Sequence, residues 1–187
     1  MGNQIRSDRH ALLVIDVQNY FFDKTSHAYL PGSAQILPKI NQLVSHAIGL
    51  LRPVIATAHR APSETENLML DQWRHLPQGR ECSLYPGLIV DQRIRRIPKE
   101  YYSAFFKTDL EQILRQEGIG TIVICGVMTH LCVDTTARHG FMLGFKPIVV
   151  SDACCSKTTS HHTAALSALG HGFAEIAPTD QLRNAGQ

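Results

Sequence analysis

The sequence predicts a three-layer α/β/α domain in which a doubly wound, mainly parallel sheet lies between helices. Three observations predict this: short β-branched apolar segments recur along the chain, helical patterns separate them, and 44% of the 187 residues are hydrophobic. Strands that alternate with helices form βαβ units, and right-handed crossovers then place helices on both faces of the sheet. At roughly 100–200 residues per domain, this length predicts a single domain that spans residues 1–187.

The predicted strands are short apolar segments of the kind found in the interior of a parallel sheet. The four clearest are Ala11–Asp16, Pro53–Ala58, Thr121–Gly126 and Lys146–Ser151. Phe173–Ala177 is a shorter candidate, and Arg93–Ile97 is either a strand or an extended connector. Ligands bind at the carboxyl ends of the strands in open α/β sheets, so we expect the functional residues at that edge.

The predicted helices lie between these strands and carry apolar residues on one face. They are Ala34–Leu51, Asp109–Gln116, Leu131–Leu143 and His162–Leu169. Thr108 and Glu111 form a capping-box pattern at the start of the second helix. The stretch His59–Pro98 is the least regular part of the chain and contains several prolines and glycines. We expect its loops to cover another part of the molecule and to decide the choice of substrate.

The charge and cysteine content narrow the class of protein. Eighteen Lys and Arg against sixteen Asp and Glu leave a net charge of +2, which gives no strong attraction to nucleic acid or membranes. Five cysteines without a CxxC motif fit neither a zinc finger nor a disulfide framework. The N-terminal MGNQIRSDRH lacks the apolar run of a signal peptide, and no stretch approaches the roughly 18 apolar residues of a membrane span. These features predict a cytoplasmic protein with a small-molecule substrate.

A carboxylate and a thiol are expected at the functional edge. Asp16 ends the first strand, and Cys132 lies in the first turn of the helix that follows Gly126. A helix N-terminus favours an anion, so this position predicts a lowered pKa for the Cys132 thiol. Each residue also has a structural interpretation, Cys132 as a buried core thiol and Asp16 as a cap for backbone N–H groups. Asp152, which ends the fourth strand, is equivalent to Asp16 by spacing alone.

Three blocks of the sequence resemble the isochorismatase-like cysteine hydrolases. They are ALLVIDVQNYFF, IPKEYYSAFFKTDLEQIL and TIVICGVMTHLCVDTTARHGFMLGFKPIVVSDA. This superfamily includes nicotinamidases, N-carbamoylsarcosine and ureidoacrylate amidohydrolases, and isochorismatases. The resemblance runs from about Ala11 to the end of the chain in the family's order, and the G-V-x-T-x-x-C-V block is its most specific part. It implies a Rossmann-like hydrolase fold and a homo-oligomer, either a dimer or a tetramer.

The resemblance implies a catalytic triad of Asp16, Lys99 and Cys132, with Lys107 as a solvated residue. It also implies a cis peptide bond between Val127 and Met128. The backbone amides of Met128 and Cys132 would then form an oxyanion hole for a tetrahedral intermediate. Cys132 would attack a carbonyl carbon, Asp16 would move the proton, and Lys99 would hold Asp16.

Two departures from the family pattern indicate which branch of the superfamily the chain resembles. Nicotinamidases bind a metal through an Asp-x-His on the second strand, where this chain has Thr57-Ala58-His59. We therefore expect no metal and no cofactor, and leave open whether His59 contacts substrate or a metal. Isochorismatases resemble G-V-Y-A-H-I-G at the third block, with glycine where this chain has Cys132. The retained thiol favours C–N hydrolysis of an amide, ureido or carbamoyl compound, and vinyl ether hydrolysis of the isochorismatase type is the alternative.

The expected substrate pocket includes Phe21, Trp73, Tyr102 and His130, as walls or polar contacts. Each of the aromatic residues also has an interpretation as core, interface or scaffold. Two competing classes of protein remain: a non-catalytic binding protein on the same fold, and a redox protein that uses Cys132 or the Cys154–Cys155 pair. The absence of a CxxC motif weighs against redox chemistry.

Overall fold

The computed structural model describes residues 9–63 and 67–184, and its centre is a six-stranded parallel sheet. The strands are β1 (His10–Ile15), β2 (Val54–His59), β3 (Ile94–Lys99), β4 (Thr121–Val127), β5 (Lys146–Cys155) and β6 (Glu175–Ala177). Their spatial order is β3-β2-β1-β4-β5-β6, and every neighbouring pair is parallel. The predicted fold class is confirmed.

Strand burial follows position in the sheet. The central strands β1 and β4 are buried on both faces, so they consist almost entirely of apolar residues such as Leu13 and Ile124, which have no exposed surface. The edge strand β3 is instead only partly buried: Ile94, Ile97 and Lys99 are buried, and the residues between them are exposed. This explains why the sequence left Arg93–Ile97 open between a strand and a connector. Its register with β2, Val54 opposite Ile94, shows that it is a strand.

Seven α-helices are described around the sheet. They are α1 (Asn19–Phe22), α2 (Ser33–Gly49), α3 (Leu68–Gln72), α4 (Leu110–Gln116), α5 (Asp134–Met142), α6 (Thr159–Gly172) and α7 (Thr179–Asn184). The predicted helix Leu131–Leu143 is divided into a π-helical segment, Thr129–Val133, and α5. At the start of α4, Thr108 Oγ1 accepts the N–H of Leu110 at 3.3 Å.

The connection between β2 and β3 lies over the carboxyl edge of the sheet. It contains α3 and a 3-10 helix, Gly79–Cys82. Gln18, which follows β1, anchors it through its buried side chain. Gln18 Oε1 accepts the N–H of His59 at 2.7 Å, and Gln18 Nε2 donates to the carbonyls of His59 at 2.9 Å and Glu81 at 3.0 Å. The end of β2 and the 3-10 helix are therefore fixed to the same side chain.

Gly126 allows β4 to approach the end of β1 closely. A Cβ atom here would lie 2.1 Å from the carbonyl oxygen of Ile15, and the residue has a φ of +115°. Only glycine fits both conditions. Asp16, which directly follows β1, has a φ of 54°. Aspartate tolerates this left-handed conformation better than most residues do. The peptide bond between Val127 and Met128 is cis, as the resemblance implies.

Within residues 9–63 and 67–184, no helix combines the length and the apolar character that a membrane span requires.

Candidate active site

Asp16, Lys99 and Cys132 form one buried cluster at the carboxyl edge of the sheet. Asp16 follows β1, Lys99 is the last residue of β3, and Cys132 lies in the π-helical segment after β4. Lys99 Nζ is 2.8 Å from Asp16 Oδ2 and donates to Cys132 Sγ at 3.3 Å and to the carbonyl of Tyr101 at 3.0 Å. These three contacts match the three donors of an ammonium group. The structure thus brings together the three side chains that the resemblance selected.

The Lys99 ammonium is held in its charged form. Burial alone would lower the pKa of Lys99, but the charges and hydrogen bonds of Asp16 and Cys132 outweigh it and raise that pKa. The side chains of Lys99 and Asp16 are both fully excluded from water. A buried charge of this kind is tolerated only when its partner remains, so the two residues depend on each other.

The prediction of a lowered thiol pKa at Cys132 is wrong for this closed site. Burial raises the pKa of the Cys132 thiol to about 12; Lys99 acts against this, and the Asp16 carboxylate adds to it. Burial outweighs the helix N-terminus because the residue is only 5% exposed. The thiol is therefore protonated at neutral pH, and the charge of the Asp16 carboxylate helps to keep it so. Asp16 is the candidate acceptor of its proton.

Thr57 is a positioning residue that the sequence did not reveal. Its hydroxyl donates to Asp16 Oδ1 at 2.7 Å, and its oxygen accepts the N–H of Asp16 at 3.2 Å. Thr57 is fully buried in β2. It occupies the place where nicotinamidases carry a carboxylate, so the departure supplies a hydrogen bond to the candidate base. Nothing in a β-branched residue on a strand indicates which neighbouring carboxylate it bonds.

Replacing Thr57 by valine should weaken both the fold and turnover. Valine keeps the shape but leaves Asp16 Oδ1 without its buried donor, which costs about 1–3 kcal/mol of the free energy of unfolding. We expect a lower kcat with little change in KM. Urea denaturation and steady-state kinetics check this, and the control is Thr57→Ser, which retains the hydroxyl. Equal kcat values in the two variants would show that Thr57 does not position Asp16.

His59 lies beside the cluster as a neutral imidazole. Burial lowers its pKa to about 4, and the charge of Lys99 lowers it further, against the opposing charge of Asp16. Its ring hydrogen-bonds the backbone of Tyr101. Its Nδ1 atom is buried and has no hydrogen-bond partner among the described residues. His59 therefore offers an unused polar atom near Lys99.

The neutral His59 predicts a loss of stability in acid. The unfolded chain protonates this histidine near its ordinary pKa of 6.5, whereas the folded chain keeps it neutral down to about 4. The unfolded state thus binds more protons in this window, so the free energy of unfolding falls as the pH drops from 6.5 towards 4. At pH 5 the loss is about 2 kcal/mol relative to pH 8. Urea denaturation of the protein and of His59→Asn at both pH values measures it, and equal losses would contradict the prediction.

The Met128 and Cys132 amides lie at the start of the helical segment that carries the thiol. The carbonyl of Met128 accepts the N–H groups of Leu131 at 3.0 Å and Val133 at 3.2 Å, which curls the chain around Met128. N–H groups in the first turn of a helix lack helical acceptors and are available to an anion. The oxyanion hole itself stays a prediction.

The four expected pocket residues have different surroundings. Trp73 Nε1 donates to Tyr102 Oη at 2.7 Å, so the structure joins these two side chains. Tyr102 directly follows Tyr101, whose carbonyl binds Lys99. Phe21 is buried with its ring edge-on to Tyr20 at 4.8 Å. His130 Nδ1 lies 2.9 Å from Ser156 Oγ, and its ring stacks on His161 at 4.4 Å. Their roles in binding substrate stay predictions.

Two alternatives from the sequence are resolved by position. Asp152 lies within β5, where its Oδ1 accepts the N–H of Thr179 at 2.7 Å and the Thr179 hydroxyl at 2.8 Å. It therefore caps the start of α7, and Asp16 is the carboxylate of the cluster. Lys107 is exposed, as expected, with Nζ 3.3 Å from Tyr101 Oη.

The remaining thiols do not form a redox centre of the usual kind. All five cysteines are free, including the adjacent Cys154 and Cys155. Burial raises the pKa of Cys155 to about 12 and that of Cys154 well above its usual range, with the Cys125 thiol adding to the latter. Thiols held protonated in this way are poor nucleophiles for disulfide exchange.

A surface groove of about 860 Å³ lies at the opposite edge of the sheet. Its lining comes from the amino ends of β4 and β5 and from the end of α6, including Thr121, Lys146 and Phe173. It is remote from the buried cluster, which is closed in this structure.

Comparison with known proteins places the chain in a family. A family model for the isochorismatase domain matches residues 10–181. Nicotinamidase 3 of Arabidopsis thaliana is 34% identical over 183 residues, which cover 92% of this chain and 86% of that protein. Ureidoacrylate amidohydrolase of Klebsiella pneumoniae subsp. pneumoniae is 30% identical, over 76% of this chain and 72% of its own.

The fold comparison agrees. An isochorismatase-like hydrolase from Alkaliphilus metalliredigens superposes with a TM-score of 0.88 at 26% identity, and covers 96% of this chain and 100% of its own. The family match spans all six strands and all three residues of the buried cluster. The chain belongs to the isochorismatase family of hydrolases.

Proposed function

We propose that this hydrolase cleaves the C–N bond of a small amide, ureido or carbamoyl compound through a thioester on Cys132. The observation that carries the proposal is the buried contact of Lys99 Nζ with both Asp16 Oδ2, at 2.8 Å, and Cys132 Sγ, at 3.3 Å. A nucleophile, a base and a group that orients them are the minimum for acyl transfer.

The first half of the reaction forms the thioester. Asp16 accepts the thiol proton as Sγ attacks the carbonyl carbon, and Lys99 stays protonated to stabilise both partners. The carbonyl oxygen becomes an oxyanion, to which the N–H groups of Met128 and Cys132 donate. The tetrahedral intermediate then collapses, the C–N bond breaks, and Asp16 returns its proton to the leaving nitrogen.

The second half regenerates the thiol. Water attacks the thioester carbonyl while Asp16 accepts a proton from it. The C–S bond breaks, and the Cys132 sulfur recovers a proton from Asp16 as the acid leaves. The sum is one amide and one water converted to one acid and one amine or ammonia, with no cofactor and no metal consumed.

Three observations favour C–N bonds over a vinyl ether. The thiol is retained and lies against its base, whereas vinyl ether hydrolysis needs no sulfur nucleophile. The relatives named as a nicotinamidase and a ureidoacrylate amidohydrolase act on C–N bonds by their names. His59 Nδ1, the buried atom without a partner, is suited to accept an N–H from such a substrate.

A substrate panel tests the proposal. Ammonia release is measured with nicotinamide, ureido acids, carbamoyl amino acids, biuret and simple amides, and isochorismate turnover is measured separately. Turnover of a nitrogen compound that is lost in Cys132→Ala and retained in Cys82→Ala supports C–N hydrolysis. Turnover of isochorismate alone would replace it with vinyl ether hydrolysis, and no turnover of either with stoichiometric binding would favour a binding protein.

We also propose that the chain works as a homo-oligomer, a dimer or tetramer, in the cytoplasm. Five unpaired thiols are compatible with a reducing compartment. Sedimentation velocity checks the assembly, and a single monomer boundary at micromolar concentration would contradict it.

A further inference from the structure

A cluster of metal-binding side chains lies outside the candidate active site. It consists of His27, His75 and Glu81, hereafter the His–His–Glu cluster. One ligand atom from each lies within 4.8 Å of the other two. The residues come from three segments: the connection from α1 to α2, the loop after α3, and the 3-10 helix. His59 is not part of it.

The spacing suits a small divalent ion after modest adjustment. In a tetrahedral zinc site with N and O ligands at about 2.1 Å, neighbouring ligand atoms are about 3.4 Å apart. His75 Nε2 is 3.0 Å from Glu81 Oε2, and His27 Nδ1 is 3.9 Å from Glu81 Oε1. The two histidine side chains are about half exposed, 52% and 48%, so they can move and leave room for a water ligand.

The surroundings hold the ligands in place. The N–H of Gln78 donates to Glu81 Oε2 at 3.1 Å, which orients the carboxylate. The Tyr20 ring contacts both imidazoles, edge-on to His27 at 5.2 Å and parallel to His75 at 6.0 Å. Its hydroxyl also donates to the His75 carbonyl at 2.9 Å. Such outer contacts are what fix ligand orientation in metal sites.

The charge of the cluster also suits a cation. Glu81 supplies a carboxylate whose Oε2 contacts His75 Nε2 and the N–H of Gln78. His27 Nδ1 lies against its other oxygen, Oε1. Two nitrogens and one carboxylate leave one position open, a donor set typical of zinc with water as the fourth ligand.

We propose that the His–His–Glu cluster binds one Zn²⁺ or a similar divalent transition metal and ties residues 75–81 to the connection between α1 and α2. The consequence reaches the candidate active site through Gln18, which binds the carbonyls of both Glu81 and His59. The metal stabilises the connection that covers the buried cluster and takes no part in bond cleavage. The inference stands whether or not the proposed function is correct.

Isothermal titration of the chelator-treated full chain with Zn²⁺ tests the site. We expect one equivalent to bind in the protein, and affinity for that equivalent to fall more than about tenfold in His27→Ala, His75→Ala and Glu81→Gln. His171→Ala, an exposed histidine on α6, is the matched control and should bind as the unmodified protein does. Zn²⁺ should also raise the unfolding temperature of the protein and of the control, but not of Glu81→Gln.

Titration with Co²⁺ distinguishes metal binding at the His–His–Glu cluster from metal binding at the cysteine thiols. An N/O site gives the visible bands of Co²⁺ without the intense near-ultraviolet absorption of a cobalt–thiolate bond. Strong thiolate absorption for the first equivalent, unchanged Zn²⁺ binding in the three cluster variants, or no binding to the unmodified protein would each overturn the proposal.

Discussion

Cys132→Ala should abolish turnover while the protein stays folded. The substitution removes the sulfur to which Lys99 donates, so no thioester forms. Loss of a nucleophile that acts as one unit with its base lowers kcat by about 10³-fold or more. Steady-state kinetics with the best amide of the panel measures this, with enzyme concentrations high enough to detect residual activity.

The fold should tolerate the change because alanine is small and apolar in a buried position. Lys99 Nζ loses one of three acceptors and keeps Asp16 and the Tyr101 carbonyl, so we expect the free energy of unfolding to fall by less than about 2 kcal/mol. Cys82→Ala is the matched control: the same substitution at a half-buried thiol bound to the Pro77 carbonyl, outside the cluster. Full activity in Cys132→Ala would eliminate the thioester mechanism.

Lys99→Met should lose both activity and much of its stability. Methionine has a similar length but no charge, so the Asp16 carboxylate is left buried and unpaired in a site with no exposed surface. Removing one partner of a buried ion pair costs about 3–5 kcal/mol. Urea denaturation at pH 7 measures the loss, and Lys107→Met, at an exposed lysine, should change the value by less than about 0.5 kcal/mol.

A double variant separates the electrostatic cause from general damage. In Lys99→Met with Asp16→Asn, the unpaired charge is gone, so stability should recover by several kcal/mol relative to Lys99→Met alone while turnover stays absent. If the double variant is no more stable than the single one, the ion pair is not the reason that Lys99 is required.

The sequence predicted the sheet and the three cluster residues for identifiable reasons. β1 and β4 are buried on both faces, and this produces continuous β-branched segments that are visible without a structure. Asp16 directly follows β1, and Cys132 lies in the helical segment after β4, so both were expected at the edge where parallel strands end. The spacing alone did not separate Asp16 from Asp152. Lys99 came from the resemblance alone, because β3 is an edge strand with three exposed residues and lacks the continuous apolar segment of a central strand.

Other features depend on contacts between segments that are distant in the sequence. The hydroxyl of Thr57 bonds to Asp16 across 41 residues, and a buried threonine looks the same with or without such a partner. The raised pKa of the Cys132 thiol results from burial under neighbouring segments, whereas the sequence showed only the favourable helix position. The His–His–Glu cluster joins positions 27, 75 and 81, a spacing that matches no metal motif.

The most direct test of the account is rapid-quench mass spectrometry during turnover of the best amide. The account predicts an adduct with the mass of the substrate's acyl group, located on the peptide that contains Cys132 and absent from Cys132→Ala. Burst release of ammonia should match its amount. Turnover at a measurable rate with unmodified Cys132 throughout, or an acyl group on another residue, would contradict the central claim that this thiol carries the reaction.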